Sequence, residues 1–268
     1  MLLFAPAKIN IGLKVLDKRL DNYHNIESIF YSIPLFDILE FSKSKDFEFI
    51  SSGLAVDGQL ANNLVFKAYD LINQQYSIGG LKIHLHKTIP MGAGLGGGSS
   101  DAASTLLAIN SIFGLGIDLN ELAQMAEYLG ADCPFFVHNK PVIARGIGTQ
   151  FTEVNLDLSG YFIVLIKPDI HISTAEAYAG VKLEGAKAGL DLSVLGDMSL
   201  WKHQFLNSFE HNLFLKYPLL KELKDSLYEQ GAVYASMSGS GSSIFGIFKS
   251  KPNVLQEWER YFLWVKEI

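Results

Sequence analysis

A protein of mixed strands and helices in two domains is what this sequence predicts, and three observations predict it. The chain has 268 residues, long for one hydrophobic core and comfortable for two. Apolar side chains recur with period two in some segments and at helical spacing in others. Between the two kinds of segment lies a glycine-rich turn whose far side lacks the strand–helix–strand rhythm of a doubly wound sheet. Apolar residues make up 49% of the chain and charged residues 19%, a globular balance rather than a disordered one.

Near the start, Ile9, Ile11, Leu13 and Val15 alternate with Asn10, Gly12 and Lys14, which predicts a strand. Further strands are expected over residues 28–32 and 38–50. Residues 62–73 read as a helix with Leu64, Ala68, Leu71 and Ile72 on one face. Leu81, Ile83 and Leu85 then alternate with Lys82, His84 and His86, a half-buried strand running into the glycine turn. Beyond the turn, Ala102, Ala103, Leu106, Leu107, Ile109 and Phe113 recur at helical spacing, and Gly114 suits the stop. Asp118 with Glu121 is a capping-box-like start for the next helix, with Leu122, Met125, Ala126 and Leu129 inward and Gly130 at its end. Residues 141–147 return as a strand. The composition turns polar at residues 155–159, which places a boundary between domains 1–154 and 155–268. The second half should hold a strand at 161–166, helices at 174–180 and 216–230, and a hairpin around 236–243.

The turn itself reads Pro90, Met91, Gly92, Ala93, Gly94, Leu95, Gly96, Gly97, Gly98, Ser99, Ser100. Glycine adopts positive φ and lets backbone approach a ligand with no Cβ in the way. A helix start directly behind it offers unpaired N–H groups and the positive end of the helix dipole, which together make an anion site suited to phosphate. Ser99 and Ser100 stand where an N-cap is expected, and capping and phosphate or Mg²⁺ binding are compatible roles for them. No lysine follows the glycines, so this is not a P-loop. Gly92 to Gly97 satisfies G-x-G-x-x-G by letter, and Asp118 lies about 20 residues on, at the spacing of a ribose-binding acid. That acid should end a second strand, however, whereas Asp118 caps a second helix.

A net charge of −6 and no Lys/Arg cluster argue against a nucleic-acid partner. The single cysteine, Cys133, excludes an intrachain disulfide and fits a reducing cytoplasm. The apolar opening breaks at Pro6 and Lys8 and lacks a basic leader, so it is not read as a signal peptide, and no stretch reaches the ~20 apolar residues of a membrane helix. His84 and His86 share a strand face with Lys82 and read as solvent-facing rather than as metal ligands. Cys133 lacks an activating base and reads as a small core residue.

Four stretches in order carry a family resemblance: Pro6-Ala-Lys8-Ile-Asn10, the PMGAGLGGGSS turn, Gly-Ala-Asp132-Cys-Pro-Phe-Phe, and Ser-Gly-Ser-Gly at 238–241. In combination they resemble the GHMP kinases, the galactokinase, homoserine, mevalonate and phosphomevalonate kinase family. Asn22-Tyr23-His24 narrows the likeness to members that act on a cytidine diphosphate-linked sugar alcohol. The resemblance spans nearly the whole chain. It implies a two-domain α+β fold, with an N-terminal part like ribosomal protein S5 domain 2 and a ferredoxin-like C-terminal part. It further implies ATP as phosphoryl donor, Mg²⁺ with it, and a methylerythritol 2-hydroxyl as acceptor, in isoprenoid precursor synthesis that bypasses mevalonate.

The same resemblance assigns residues. Asp132 becomes the general base and Lys8 its partner; the turn from Pro90 to Ser100 binds ATP; Asn10, Tyr23, His24, Tyr178, Gly239 and Ser240 meet the acceptor substrate. Several of these have a plainer reading. Asp132 follows a helix-ending glycine and precedes Pro134, so it is well placed as an N-cap. Lys8 shares a strand face with Asn10 and Gly12 and reads as a solvated lysine. Tyr23 and His24 flank a turn, and Gly239 to Gly241 need be only a hairpin. Where the family often carries Asn-Asp-(Leu/Phe)-Glu, this chain has Asn207-Ser208-Phe209-Glu210. No metal ligand is assigned.

Overall fold

A computed structural model of the chain describes residues 1–56, 58–183, 185 and 189–268. In chain order the first elements are β1 (Leu2–Lys18), β2 (His24–Lys43), β3 (Glu48–Gly53), α1 (Leu64–Tyr76), β4 (Leu81–Lys87), α2 (Gly97–Phe113), α3 (Leu119–Glu127) and α4 (Cys133–His138). There follow β5 (Val142–Gly146), β6 (Gln150–Glu153), β7 (Phe162–Lys167), α5 (Thr174–Ala179), α6 (Met198–Gln204), α7 (Glu210–Lys216), α8 (Pro218–Glu229), β8 (Tyr234–Met237), β9 (Ile244–Phe248) and β10 (Phe262–Glu267). These build two compact units. Unit one takes residues 1–8, 32–91 and 96–140; unit two takes residues 9–31, 92–95 and 141–268. β1, β2 and the glycine turn each contribute residues to both units.

In unit one, β4 pairs antiparallel with residues 38–43 of β2 and parallel with β3. Its alternation is as the sequence predicts, with Leu81, Ile83 and Leu85 buried. The same alternation carries Lys87 to the buried side, where it is 3% exposed. Asn63 caps α1 through Val65 N–H, and Asp118 caps α3 by accepting from Asn120 and Glu121. Helix α2 runs to Phe113 and stops at Gly114 in the left-handed conformation, as expected. Its start differs. The N-cap is Gly96 at φ 68°, so Ser99 and Ser100 lie inside the first turn rather than at the cap.

Strand β2 is also longer than predicted, one run of 20 residues where the sequence suggests two strands. Pro34 falls between the stretch paired with β5 (26–30) and the stretch paired with β4 (38–43), a place where its missing N–H is tolerated. In β1 the expected alternation is overruled: every residue from Ala7 to Leu13 is buried, Lys8 and Asn10 included. The solvated-lysine reading of Lys8 therefore fails, because this strand is covered on both faces.

In unit two, β10-β7-β9-β8 form an antiparallel sheet, and β8 with β9 is the predicted hairpin, Met237 opposite Ile244 around the 238–243 loop. Strands β7 and β9 are near-continuous apolar runs, as strands covered on both faces should be. The expected helix at 216–230 is α8 alone, with Pro218 at its first position. Val164, Ile166, Leu220, Leu227 and Trp258 lie in a core that also takes Leu13, Val15 and Ile26 from the N-terminal strands. Tyr234 is fully buried; its hydroxyl donates to Phe205 O (2.6 Å) and accepts from Gly12 N–H (2.9 Å).

Tyr234→Phe deletes both bonds and strands two buried backbone groups. We expect a loss of about 1–3 kcal/mol in urea unfolding with the slope unchanged; a variant as stable as the parent would show these bonds to be energetically idle.

Candidate active site

Lys8 of β1 and Asp132 before α4 both belong to unit one, and Lys8 Nζ lies 3.4 Å from Asp132 Oδ2. Asp132 holds the N-cap place of α4, as the plainer reading expects. Its backbone is already helical (φ −82°, ψ −15°), though, and its side chain makes no capping bond. The carboxylate is left for Lys8 instead. Its side chain is 31% exposed while that of Lys8 is 5% exposed, so a reachable carboxylate rests on a buried ammonium.

The glycine turn comes against this pair at Gly96. A Cβ there would lie 2.9 Å from the Phe136 ring and 3.2 Å from Lys8 Cγ, and φ is positive, so only glycine fits. The first helical bond of α2 runs from Ser100 N–H to Gly96 O. The N–H groups of Gly97, Gly98 and Ser99 precede it and are unused by the helix. Ser99 hydrogen-bonds the Cys133 thiol, tying the start of α2 to the residue after Asp132. Burial pushes that thiol up to about 12, and Cys133 is the inert core residue its sequence context suggests. The Ser100 hydroxyl is fully buried and has no hydrogen-bond partner.

Unit two holds the residues expected to meet the acceptor, together with Gly92 to Leu95 of the turn; Pro90 and Met91 belong to unit one. Gly94 (φ 76°) leaves no room for a side chain, since a Cβ would lie 2.0 Å from Ser238 O; Ser238 Oγ in turn donates to Gly94 O (2.8 Å). Gly239 approaches the same place, with its Cβ position 3.2 Å from Gly94 O and 3.3 Å from Asn10 Oδ1. The two glycine-rich loops and Asn10 thus converge. Asn10 is oriented by donating to Ser28 Oγ (2.9 Å), which donates to Gly12 O (2.6 Å). Ser240 sits half-buried beside them in the second loop.

His24 stacks on Tyr178, ring centroids 4.7 Å apart at 21°, and Tyr178 meets Phe209 edge-on at 4.9 Å. Burial, with Lys18 nearby, lowers the His24 pKa and favours its uncharged ring. Tyr23 is 62% exposed, its backbone held by Arg19 and Asp21. The aromatic pair that the structure builds is His24–Tyr178, with Tyr23 standing beside it in sequence.

Two family models match the chain: the GHMP kinases N-terminal domain over residues 63–140 and the GHMP kinases C-terminal domain over residues 185–262. The chain belongs to the GHMP kinase family. It is 47% identical over 267 residues to a protein of Parabacteroides distasonis named 4-diphosphocytidyl-2-C-methyl-D-erythritol kinase, with 98% of each chain covered. A protein of the same name from Chlorobium phaeobacteroides is 39% identical, covering 92% of this chain and 86% of its own. Among solved structures, a 4-(cytidine 5'-diphospho)-2C-methyl-D-erythritol kinase superposes with a TM-score of 0.77 at 33% identity, covering 92% of this chain and 90% of that one. A homoserine kinase from Cytophaga hutchinsonii, at 19% identity and a TM-score of 0.71, shares the fold. The two-domain GHMP kinase fold with mixed helices and sheets is the one expected.

Sequence reasoning missed one cluster in this GHMP kinase. Lys87 Nζ bonds Asp37 Oδ2 and, at 2.7 Å, Asp101 Oδ2, all three side chains being buried. Its signal was a lysine in the inward register of β4. Two carboxylates share one ammonium here. Burial pushes Asp101 up to about 7 against the opposing Lys87 charge, Asp37 adds to the rise, and Asp101 Oδ1 has no hydrogen-bond partner. The carboxylates raise the Lys87 pKa in spite of its burial.

The Asn207–Glu210 stretch, for which the sequence offered no duty, is structural. Asn207 donates to Met237 O and Gly239 O, fixing the second glycine loop, and Glu210 accepts from Met237 N–H, Ser236 Oγ and Lys224 Nζ. Ser208, standing where the family often has Asp, accepts from Val15 N–H at 3.1 Å. His84 and His86 both contact Ser52 Oγ on the outer face of the β3–β4 pair.

Because the folded Asp101 holds its proton to about pH 7 whereas an unfolded Asp releases it near 3.9, the native state binds more protons across that window. Stability through this group therefore falls as pH rises from about 4 to 7, by at most about 1.4 kcal/mol per pH unit. Asp101→Asn removes the titration. We expect the stability of the parent relative to this variant to decline between pH 5 and pH 8 in urea melts, and a pH-independent difference would place the proton elsewhere.

Proposed function

We propose that this chain transfers the γ-phosphate of ATP to the 2-hydroxyl of 4-diphosphocytidyl-2-C-methyl-D-erythritol, with Asp132 as general base and Lys8 as its partner. Members of the family are ATP-dependent phosphotransferases. The substrate is read from the names of the relatives and the solved structure. The observation that carries the residue assignment is the Lys8–Asp132 pair set against Gly96 at the start of α2: a reachable carboxylate, a cation and a row of backbone donors in one unit.

Phosphoryl transfer asks little covalent chemistry of a protein and much positioning and charge dispersal. The N–H groups at the start of α2, aided by the helix dipole, bind phosphate oxygens. Asp132 accepts the acceptor hydroxyl proton as its oxygen bonds to the γ-phosphorus; the bond from that phosphorus to the β–γ bridging oxygen breaks, and ADP leaves with that oxygen. Lys8 holds the Asp132 carboxylate in place and offers a cation to the transferring group. The orphaned Ser100 hydroxyl, a hard oxygen at the helix start, would be the side chain to hold Mg²⁺, and the ion would supply neutralisation of phosphate charge. The acceptor is recognised in unit two: His24 and Tyr178, with Tyr23 beside them, offer flat surfaces for a cytosine ring, and Asn10, Gly239 and Ser240 offer polar groups near the second glycine loop. In family terms residues 1–154 are the N-terminal domain, which binds ATP, and residues 155–268 are the C-terminal domain. We place the enzyme in the cytoplasm, where ATP is supplied; among the described residues no helix is long and apolar enough to cross a membrane.

An ADP-release assay with the cytidylyl substrate, homoserine and mevalonate tests the assignment, and turnover of the cytidylyl substrate alone is the expected result. Asp132→Asn and Lys8→Ala should each lower kcat by about 10²-fold or more while ATP binding persists; near-normal turnover in either would remove that residue from the chemistry. Tyr178→Ala should raise KM for the cytidylyl substrate by about tenfold with KM for ATP little changed, from the loss of a stacking surface. Equal rises in both constants would take Tyr178 out of acceptor recognition.

A further inference from the structure

We propose that Lys87, Asp37 and Asp101 are positioning residues for the donor site, a buried clasp that fixes both ends of the glycine turn without touching ATP. The clasp rests on the kinase reading above.

The chain leaves β4 at Lys87, where pairing to β3 ends at Gly53 and pairing to β2 has already ended at His86. The next two N–H groups, those of Thr88 and Ile89, have no place in the ladder. Asp37 Oδ1 accepts both, at 2.6 and 2.9 Å. These are the last residues before Pro90, so one carboxylate aims the entrance of the turn. At its exit, Asp101 projects from the second turn of α2, and Lys87 Nζ joins it to Asp37. The three side chains are each 3% exposed or less. The ammonium also occupies the space beside the start of α2: a Cβ on Gly97 would lie 3.1 Å from Lys87 Nζ.

An apolar trio of similar volume would hold these elements together at least as well, because buried ions carry a desolvation cost. What apolar side chains lack is direction. Hydrogen bonds set where Thr88 and Ile89 point and where the first turn of α2 lies, and hence where its unused N–H groups aim. Donors preset for phosphate need no reordering when the nucleotide arrives, which is where preorganisation raises affinity.

The test measures a non-hydrolysable ATP analogue with Mg²⁺ by calorimetry, alongside KM for both substrates, in the full chain. Only variants with a cooperative thermal transition are compared. Asp37→Asn turns an amide donor or a mismatched acceptor toward Lys87 or the loop, and Asp101→Ala removes the exit tie. Each should weaken analogue binding by about tenfold or more while KM for the cytidylyl substrate stays within about twofold. Asp101→Asn, which keeps an acceptor for Lys87, should stay within about threefold of the parent. Unchanged analogue affinity in a folded Asp37→Asn or Asp101→Ala chain, whatever its melting temperature, overturns the clasp as a positioning device. So does an equal loss for both substrates. A parent chain that binds the analogue but does not turn over the cytidylyl substrate refutes the acceptor assignment and leaves the clasp to be judged on binding. One that does not bind the analogue overturns both.

Discussion

Three glycines of the turn stand where a Cβ would strike something already in place, and that steric requirement organises the segment between β4 and α2. At Gly94, Gly96 and Gly97 the space a Cβ would take is already filled by Ser238 O, by the Phe136 ring and by Ile89 with Lys87. The turn is therefore packed on its inner side, and the first N–H groups of α2 are left over from the helix's own bonds. Neighbouring groups are arranged around that choice: Lys8 passes under Gly96, Asn10 reaches toward Gly239, and Ser99 links the helix start to Cys133. In a chain of net charge −6, the positive end of the α2 dipole and the Lys8 ammonium are local exceptions to the overall sign.

The charges used here fall into two kinds. The Lys8–Asp132 pair is asymmetric in exposure, with the carboxylate partly open to solvent and the ammonium buried. The Lys87–Asp37–Asp101 cluster is closed, with one carboxylate oxygen left without a partner. Exposure rather than residue type separates the two: solvent reaches the Asp132 carboxylate, whereas Asp37 and Asp101 meet only the protein around them.

Local periodicity made much of this legible in the sequence. Leu81, Ile83 and Leu85 gave β4 its inward face, Asp118 gave α3 its start, and Gly114 gave α2 its end. Two local readings went astray for physical reasons. Capping preferences favour serine, so the glycine N-cap at Gly96 was hidden, and Lys8 looked solvated because alternation cannot reveal a strand covered on both faces. The pairings of Lys8 with Asp132 and of Asp37 with Lys87 span the sequence, and no window of neighbouring residues contains them. The first came from the family resemblance. The second had a local trace in the inward register of Lys87, although nothing near Asp37 marked it as the partner.

The weaving of β1 and β2 through both units bears on how the chain is made. Leu13, Val15 and Ile26 emerge early in synthesis, yet they belong to a core completed by Val164, Ile166, Leu227 and Trp258. During translation these apolar strands must wait for more than half of the polypeptide before they find their permanent neighbours. A nascent chain halted near the middle would leave them uncovered, and only the last hairpin and the strand after it would finish the structure that the first residues began.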